Sequence, residues 1–159
     1  MSFIRHRGKT KLMYFKGDTV REVRDGGLVS LTDSSTLVPV DNDSGDRVLG
    51  VARLNDTTVG NDTNVRIPVE VPVESAVEWI IDTDSDGGAA DSDVGAYITV
   101  DTAGGASVNA GDSNATRVDM SDTAPARVFV TSVISATKIT GVLMNTVFGG
   151  YTNDTNDTE

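Results

Sequence analysis

Carboxylates are the residues with the most evident chemistry. Residues 82–93 read DTDSDGGAADSD. The D-x-D-x-D-G spacing gathers Asp82, Asp84 and Asp86 around one point, and Gly87 permits the sharp turn. The Gly88 carbonyl and Asp93 would complete an oxygen cage for a hard cation such as Ca²⁺. Against this, the twelfth residue is Asp rather than the longer bidentate Glu, the eighth is only Ala89, and the flanks read as strands rather than EF-hand helices. The competing reading is a hydrated acidic turn, which an Asp-rich surface produces unaided. The one histidine, His6, lies among cations near the start of the chain, where a side chain is usually solvated. There is no Gly-x-Ser-x-Gly elbow and no Gly-x-x-x-x-Gly-Lys phosphate loop. Without cysteine there is no thiol nucleophile and no thiolate metal site. A carboxylate pair for glycoside hydrolysis would have to be picked from 24 acids, most of them in loops. No catalytic residue is assigned, and the chain is expected not to be an enzyme. Asn-x-Thr triplets at Asn55, Asn61, Asn114, Asn153 and Asn156 would accept glycans on a cell surface, but in an Asn- and Thr-rich chain chance explains most of them.

The elements that would position such groups are strands. Short extended runs of four to nine residues recur between Gly, Asp, Asn and Ser turns, and nothing holds a helical apolar period over three turns. That pattern predicts an all-β fold, a single small β-barrel or sandwich. The organising stretch is NVRIPVEVPVESAVEWIID, residues 64–82. Ile67, Val69, Val71, Val73, Val77, Trp79 and Ile81 share one phase, and Pro68, Glu70, Pro72, Glu74 and Glu78 share the other. Proline cannot donate to a ladder, so an edge position or a kink is expected there. We read two strands with a bend near Glu74 and Ser75, and Trp79 buried. Gly50, inside RVLGVARL (47–54), predicts a bulge or a close backbone approach. VLGVA (48–52) and ITGVL (139–143) look like two similar strand starts.

Charge divides the chain. Of 13 basic residues, five lie in residues 1–16 (Arg5, Arg7, Lys9, Lys11 and Lys16), and no acid precedes Asp18. The net charge is −11, with Asp far outnumbering Glu. Large acidic charge keeps a protein soluble at the cost of self-repulsion, and strong salt screens that repulsion, so a halophilic origin fits. An acidic body argues against nucleic acid as the partner, and no apolar run is long enough to span a membrane. Neither is the start of the chain a secretory signal, because it lacks an apolar h-region. Residues 1–16 are expected to form a basic arm reaching outward. Arg5, Arg7, Lys9 and Lys11 would grip carboxylates, and Phe3, Ile4, Met13 and Phe15 would bury against a shell or a sister subunit. Residues 17–148 would form the barrel and 149–159 a mobile tail.

RVLGVAR (47–53), an acidic loop, then VRIPVEVP (65–72) resembles the small β-barrel capsid decoration, or cement, proteins of tailed viruses. In that family a Gly-Val-Ala strand, a polar loop and a Val-x-Val-x-Val strand form the barrel core. GDTV (17–20) is similar to the family's opening strand, VGAYITVD (94–101) to a later one without its Gly-Asp order, and ITGVL to the closing one. The resemblance covers roughly residues 17–147. It implies no catalytic residues, only surfaces. Expected is a homotrimer on the outer capsid surface of a virion, tying neighbouring major capsid subunits together. The alternative is a cell-surface or tail-associated β-module that binds glycans or protein, stiffened by calcium.

Overall fold

The computed structural model of the chain describes residues 3–18, 23–40, 47–54, 66–74, 76–83, 88–100, 118–121, 126–144 and 146–147. The fold is all-β, in two parts. Strands β2 (Thr10–Gly17), β3 (Leu28–Leu31), β4 (Thr36–Pro39), β5 (Gly50–Ala52) and β6 (Arg66–Pro72) close a small barrel in the order β2-β4-β3-β5-β6. Strands β1 (Phe3–Arg7), β7 (Glu78–Asp82), β8 (Tyr97–Val100), β9 (Val118–Asp119), β10 (Val128–Ser135) and β11 (Lys138–Leu143) form a sheet in the order β1-β7-β11-β10-β8-β9. A single 3₁₀ turn, Asp91–Asp93, precedes β8.

The apolar phases explain why the two parts pack. Ile67, Val69 and Val71 of β6 point into the barrel with Val29, Leu37 and Ala52, and Met13 and Phe15 of β2 pack on this cluster. The opposite phase of β3 and β5 supplies Leu28 and Val51, which join the sheet's Phe3, Trp79, Ile81, Val128, Val130 and Ile139 in a second cluster. All three residues of β5 are buried because both of its faces are covered. This explains why GVA reads as continuously apolar rather than alternating. Trp79 is fully buried, as its phase predicts.

The organising stretch is the crossing between the two parts. β6 belongs to the barrel and β7 to the sheet, and the expected bend at Glu74 lies between them. Beside it the chain makes a second crossing from β1 to β2 at Gly8. Its φ of +101° suits glycine alone, and an added Cβ would lie 2.8 Å from the Cα of Val77. The two corners are stitched by Lys9 N–H donating to Glu74 Oε1 at 2.8 Å and Val73 N–H donating to the Lys9 carbonyl at 3.2 Å.

The prolines of β6 do not make it an edge strand. β6 lies between β2 and β5, and the strand runs on into the bend. Arg53 N–H donates to the Pro68 carbonyl at 2.9 Å, so Pro68 turns its backbone toward β5. β5 is only three residues long and pairs with Val69 and Glu70 alone, so the missing proline donors interrupt no pairing. The close approach expected at Gly50 is real: a Cβ there would strike the Glu70 carbonyl oxygen and sit 3.0 Å from Val69 Cγ1.

Two expectations are corrected. Residues 3–17 are not an arm reaching out of the fold. β1 pairs antiparallel with β7, β2 pairs with β6 over seven positions from Thr10 to Lys16, and Phe3 is fully buried. The charges belong to two strands of the fold, in which Phe3 is core and Met13 and Phe15 pack on the barrel interior. ITGVL does not close the barrel either; β11 lies in the sheet between β7 and β10, as does the YITV strand beside β10. The tail, residues 149–159, lies outside the described residues.

Candidate functional site

Two polar networks draw on β1, one toward the barrel and one away from it. In β1, Phe3 and Arg5 share the inward phase. The register shifts between Arg5 and Arg7, and this bulge turns Arg7 to the outer face of the sheet. Arg5 Nε therefore reaches Glu70 Oε1 of β6 at 3.1 Å. Thr10 Oγ1 donates to the same oxygen at 2.8 Å and accepts from Arg5 Nη1 at 2.9 Å. The other Glu70 oxygen takes both Nε and Nη2 of Arg53 at 2.8 Å. Arg53 Nη1 donates to the Phe3 carbonyl at 2.8 Å, and its guanidinium lies 5.8 Å from the centre of the Trp79 ring. One guanidinium thus holds barrel, β1 and β7 together.

On the outer face, Glu78 of β7 is paired with Arg7 and is 5% exposed. Thr131 Oγ1 donates to Glu78 Oε1 at 2.5 Å, and hydroxyls of Thr131 and Ser132 lie 2.8 and 2.6 Å from that of Thr140. Burial pushes the Glu78 carboxyl up, but hydrogen bonds from Thr131 and Thr140, with the charge of Arg7, outweigh it and hold the carboxyl below the ordinary glutamate range. A carboxylate held ionised by an arginine and by hydroxyl donors is a structural anion, poorly suited to give up a proton near neutral pH.

The residues expected to contact a shell have other duties. Phe3 is core, Met13 and Phe15 pack on the barrel interior, and Arg5 and Arg7 are paired with Glu70 and Glu78. Ile4, Lys9 and Lys11 remain exposed. Of the expected calcium ligands, Asp84 and Asp86 lie outside the described residues. Asp82 pairs with Lys138 Nζ at 3.1 Å, Gly88 has a φ of +50°, and Asp93 Oδ2 accepts the Ala90 N–H of its own turn at 2.8 Å. Among the described residues no three His, Asp or Glu side chains converge on a point. His6 is exposed on β1. The Asn-x-Thr asparagines all fall outside the described residues.

Several large apolar side chains also face solvent. On the barrel, Leu12 and Tyr14 of β2 are 49% and 59% exposed. On the sheet, Ile4 and Tyr97 are exposed, with the Tyr97 and Phe129 rings 5.2 Å apart. Leu12 and Tyr14 were legible in principle. LMYF between Lys11 and Lys16 is a strand-like run in which Met13 and Phe15 take one phase and Leu12 and Tyr14 the other. The surrounding cations mask that period.

No protein-family model, no curated protein and no solved structure matches this chain.

Proposed function

We propose that this chain is a capsid decoration protein: it binds the outer surface of a tailed-virus capsid, as a trimer, and links neighbouring major capsid subunits. One observation carries the reading. The two motif strands on which the resemblance rests, β5 and β6, are antiparallel neighbours in the closed barrel, and their Ala52, Ile67, Val69 and Val71 fill its interior. The polar networks fit a structural role as well. Glu70 and Glu78 are engaged by arginine and threonine, which locks the fold without offering a reacting group. The exposed side chains of Leu12, Tyr14, Ile4 and Tyr97 supply apolar area for contact. A trimer touching several shell subunits would multiply modest single contacts into durable attachment. Residues 3–17 would then attach as the exposed faces of β1 and β2 rather than as an extended arm, since Phe3, Met13 and Phe15 serve the core.

The test is reconstitution. Shells stripped of surface proteins are mixed with the purified chain, sedimented and imaged by electron microscopy. Symmetric added density and greater resistance of the shell to heat are expected. Sedimentation of bare shells at saturating protein would overturn the proposal.

A further inference from the structure

The barrel is closed unevenly. β2 pairs with β6 at every position from Thr10 to Lys16, but with β4 only at Lys16 and Gly17. Among the described residues, no strand lies along the other edge of β2 from Thr10 to Phe15. In an antiparallel pair a residue turns its N–H and C=O to the same side, and successive residues alternate. Lys9 accepts from Val73 and Pro68 accepts from Arg53. Both bonds place the backbone groups of Lys11, Met13 and Phe15 toward β6, and those of Thr10, Leu12 and Tyr14 toward the open edge. Leu12 and Tyr14 are also the most exposed large apolar residues of the barrel strands, at 49% and 59%. The same two residues therefore offer two donors, two acceptors and two apolar side chains along one line.

Such an edge templates another strand unless it is blunted. Its charge selects the strand. Lys9, Lys11 and Lys16 are exposed around it, and β2 contains no acid, in a chain of net charge −11. A second copy lying antiparallel across Met13 would set Lys11 opposite Phe15 and Lys16 opposite Thr10, bringing four lysines into one pair of strands with no acid in either. An acidic strand meets no such repulsion.

We propose that the open edge of β2 takes up, by strand addition, an extended segment of a partner protein in which acidic and apolar residues alternate. That the partner is the major capsid subunit rests on the function proposed above; the edge itself does not.

Two variants test it. Leu12→Pro removes one outward N–H and leaves the β6 ladder intact, as proline permits on an open edge. Lys11→Glu reverses an exposed charge without altering the backbone, which covers the case in which the proline variant fails to fold. Amide hydrogen exchange is read for wild type, free and on stripped shells. Exchange at Leu12 and Tyr14 is expected to slow about tenfold or more on the shell, and both variants should lose occupancy. Shell binding with unchanged exchange at these amides, or with full occupancy by both variants, overturns the edge and leaves the capsid reading standing. If wild type ignores shells, the capsid reading fails, and a short blocked peptide alternating Glu and Val decides the edge alone. Protection of Leu12 and Tyr14 by that peptide, and not by a Lys and Val counterpart, supports it. No protection overturns it, as does concentration-dependent protection of the free protein, which would mean self-pairing.

Discussion

Glu78 shows how a single side chain reports on the sheet around it. It lies on the outward phase of β7, yet it is almost fully covered, because Arg7 and the hydroxyls of Thr131 and Thr140 close over it. Its carboxyl is held below its ordinary value in the folded state. The ionised form is therefore what folding favours. Its contribution is fully present above the unfolded carboxyl's range and is lost as pH falls through the folded value. Glu78→Gln should cost about 1–3 kcal/mol at neutral pH, and the gap to wild type should narrow as the medium is acidified. Urea unfolding between neutral pH and about pH 3 reads this; a gap independent of pH would contradict it. Trp79 makes the complementary case on the inward phase. It is fully buried beneath the guanidinium of Arg53, so its native emission should be blue-shifted, and Trp79→Ala should cost ~3–5 kcal/mol. Fluorescence at the fully solvated wavelength in the native protein would refute that burial.

Among the strands, the two glycine-centred segments behave alike in different parts of the fold. Gly50 of β5 faces the Glu70 carbonyl in the barrel, and Gly141 of β11 lies opposite Trp79 in the sheet, where a Cβ would come 2.5 Å from Val128 Cγ1 and 2.9 Å from the Phe129 carbonyl. Each strand tolerates no side chain where its neighbour comes closest. Gly50→Ala meets backbone and Gly141→Ala meets a valine methyl as well, so each should destabilise by ~1–3 kcal/mol, with Gly50→Ala the costlier, as thermal melts would show. A neutral melt for Gly50→Ala would mean that β5 and β6 are not this close. The likeness of VLGVA and ITGVL thus had a physical basis in the sequence, and so did the bend at Glu74 and the burial of Trp79. Membership of barrel or sheet was not legible, because both use the same period of two. The first two strands were missed for a different reason: charge in residues 1–16 outweighed the alternation of Met13 and Phe15 with Leu12 and Tyr14. The networks at Glu70 and Glu78 were hidden because they depend on register. A one-residue bulge sends Arg5 inward and Arg7 outward, and nothing local in RHR announces it.

At the scale of the whole molecule, the barrel has an interior of its own, but the sheet's core is completed by residues of barrel strands. Leu28 and Val51 belong to barrel strands but are buried in the sheet's cluster, and the chain passes between the two parts at the adjoining corners of Gly8 and Glu74. Unfolding the sheet alone would expose one face of β3 and β5 and free Arg53 from Trp79 and the Phe3 carbonyl. The two parts should therefore unfold in one cooperative transition, with the same midpoint for tryptophan fluorescence in the sheet and far-ultraviolet dichroism over all strands. Arg53→Ala tests what binds them. It leaves one Glu70 oxygen without its forked donor in a side chain only 14% exposed, and it strips the Phe3 carbonyl of its donor. A loss of about 1.5–3 kcal/mol is expected. If the shared apolar core is the principal tie, the variant should still melt in one step, at a lower midpoint. Two separated transitions in Arg53→Ala would show instead that the guanidinium was what made one folding unit of barrel and sheet. Deleting residues 2–9 should do worse than either, because it removes β1, Phe3 from the core and the Gly8 corner together; a folded truncation with a wild-type midpoint would restore the idea of a dispensable arm.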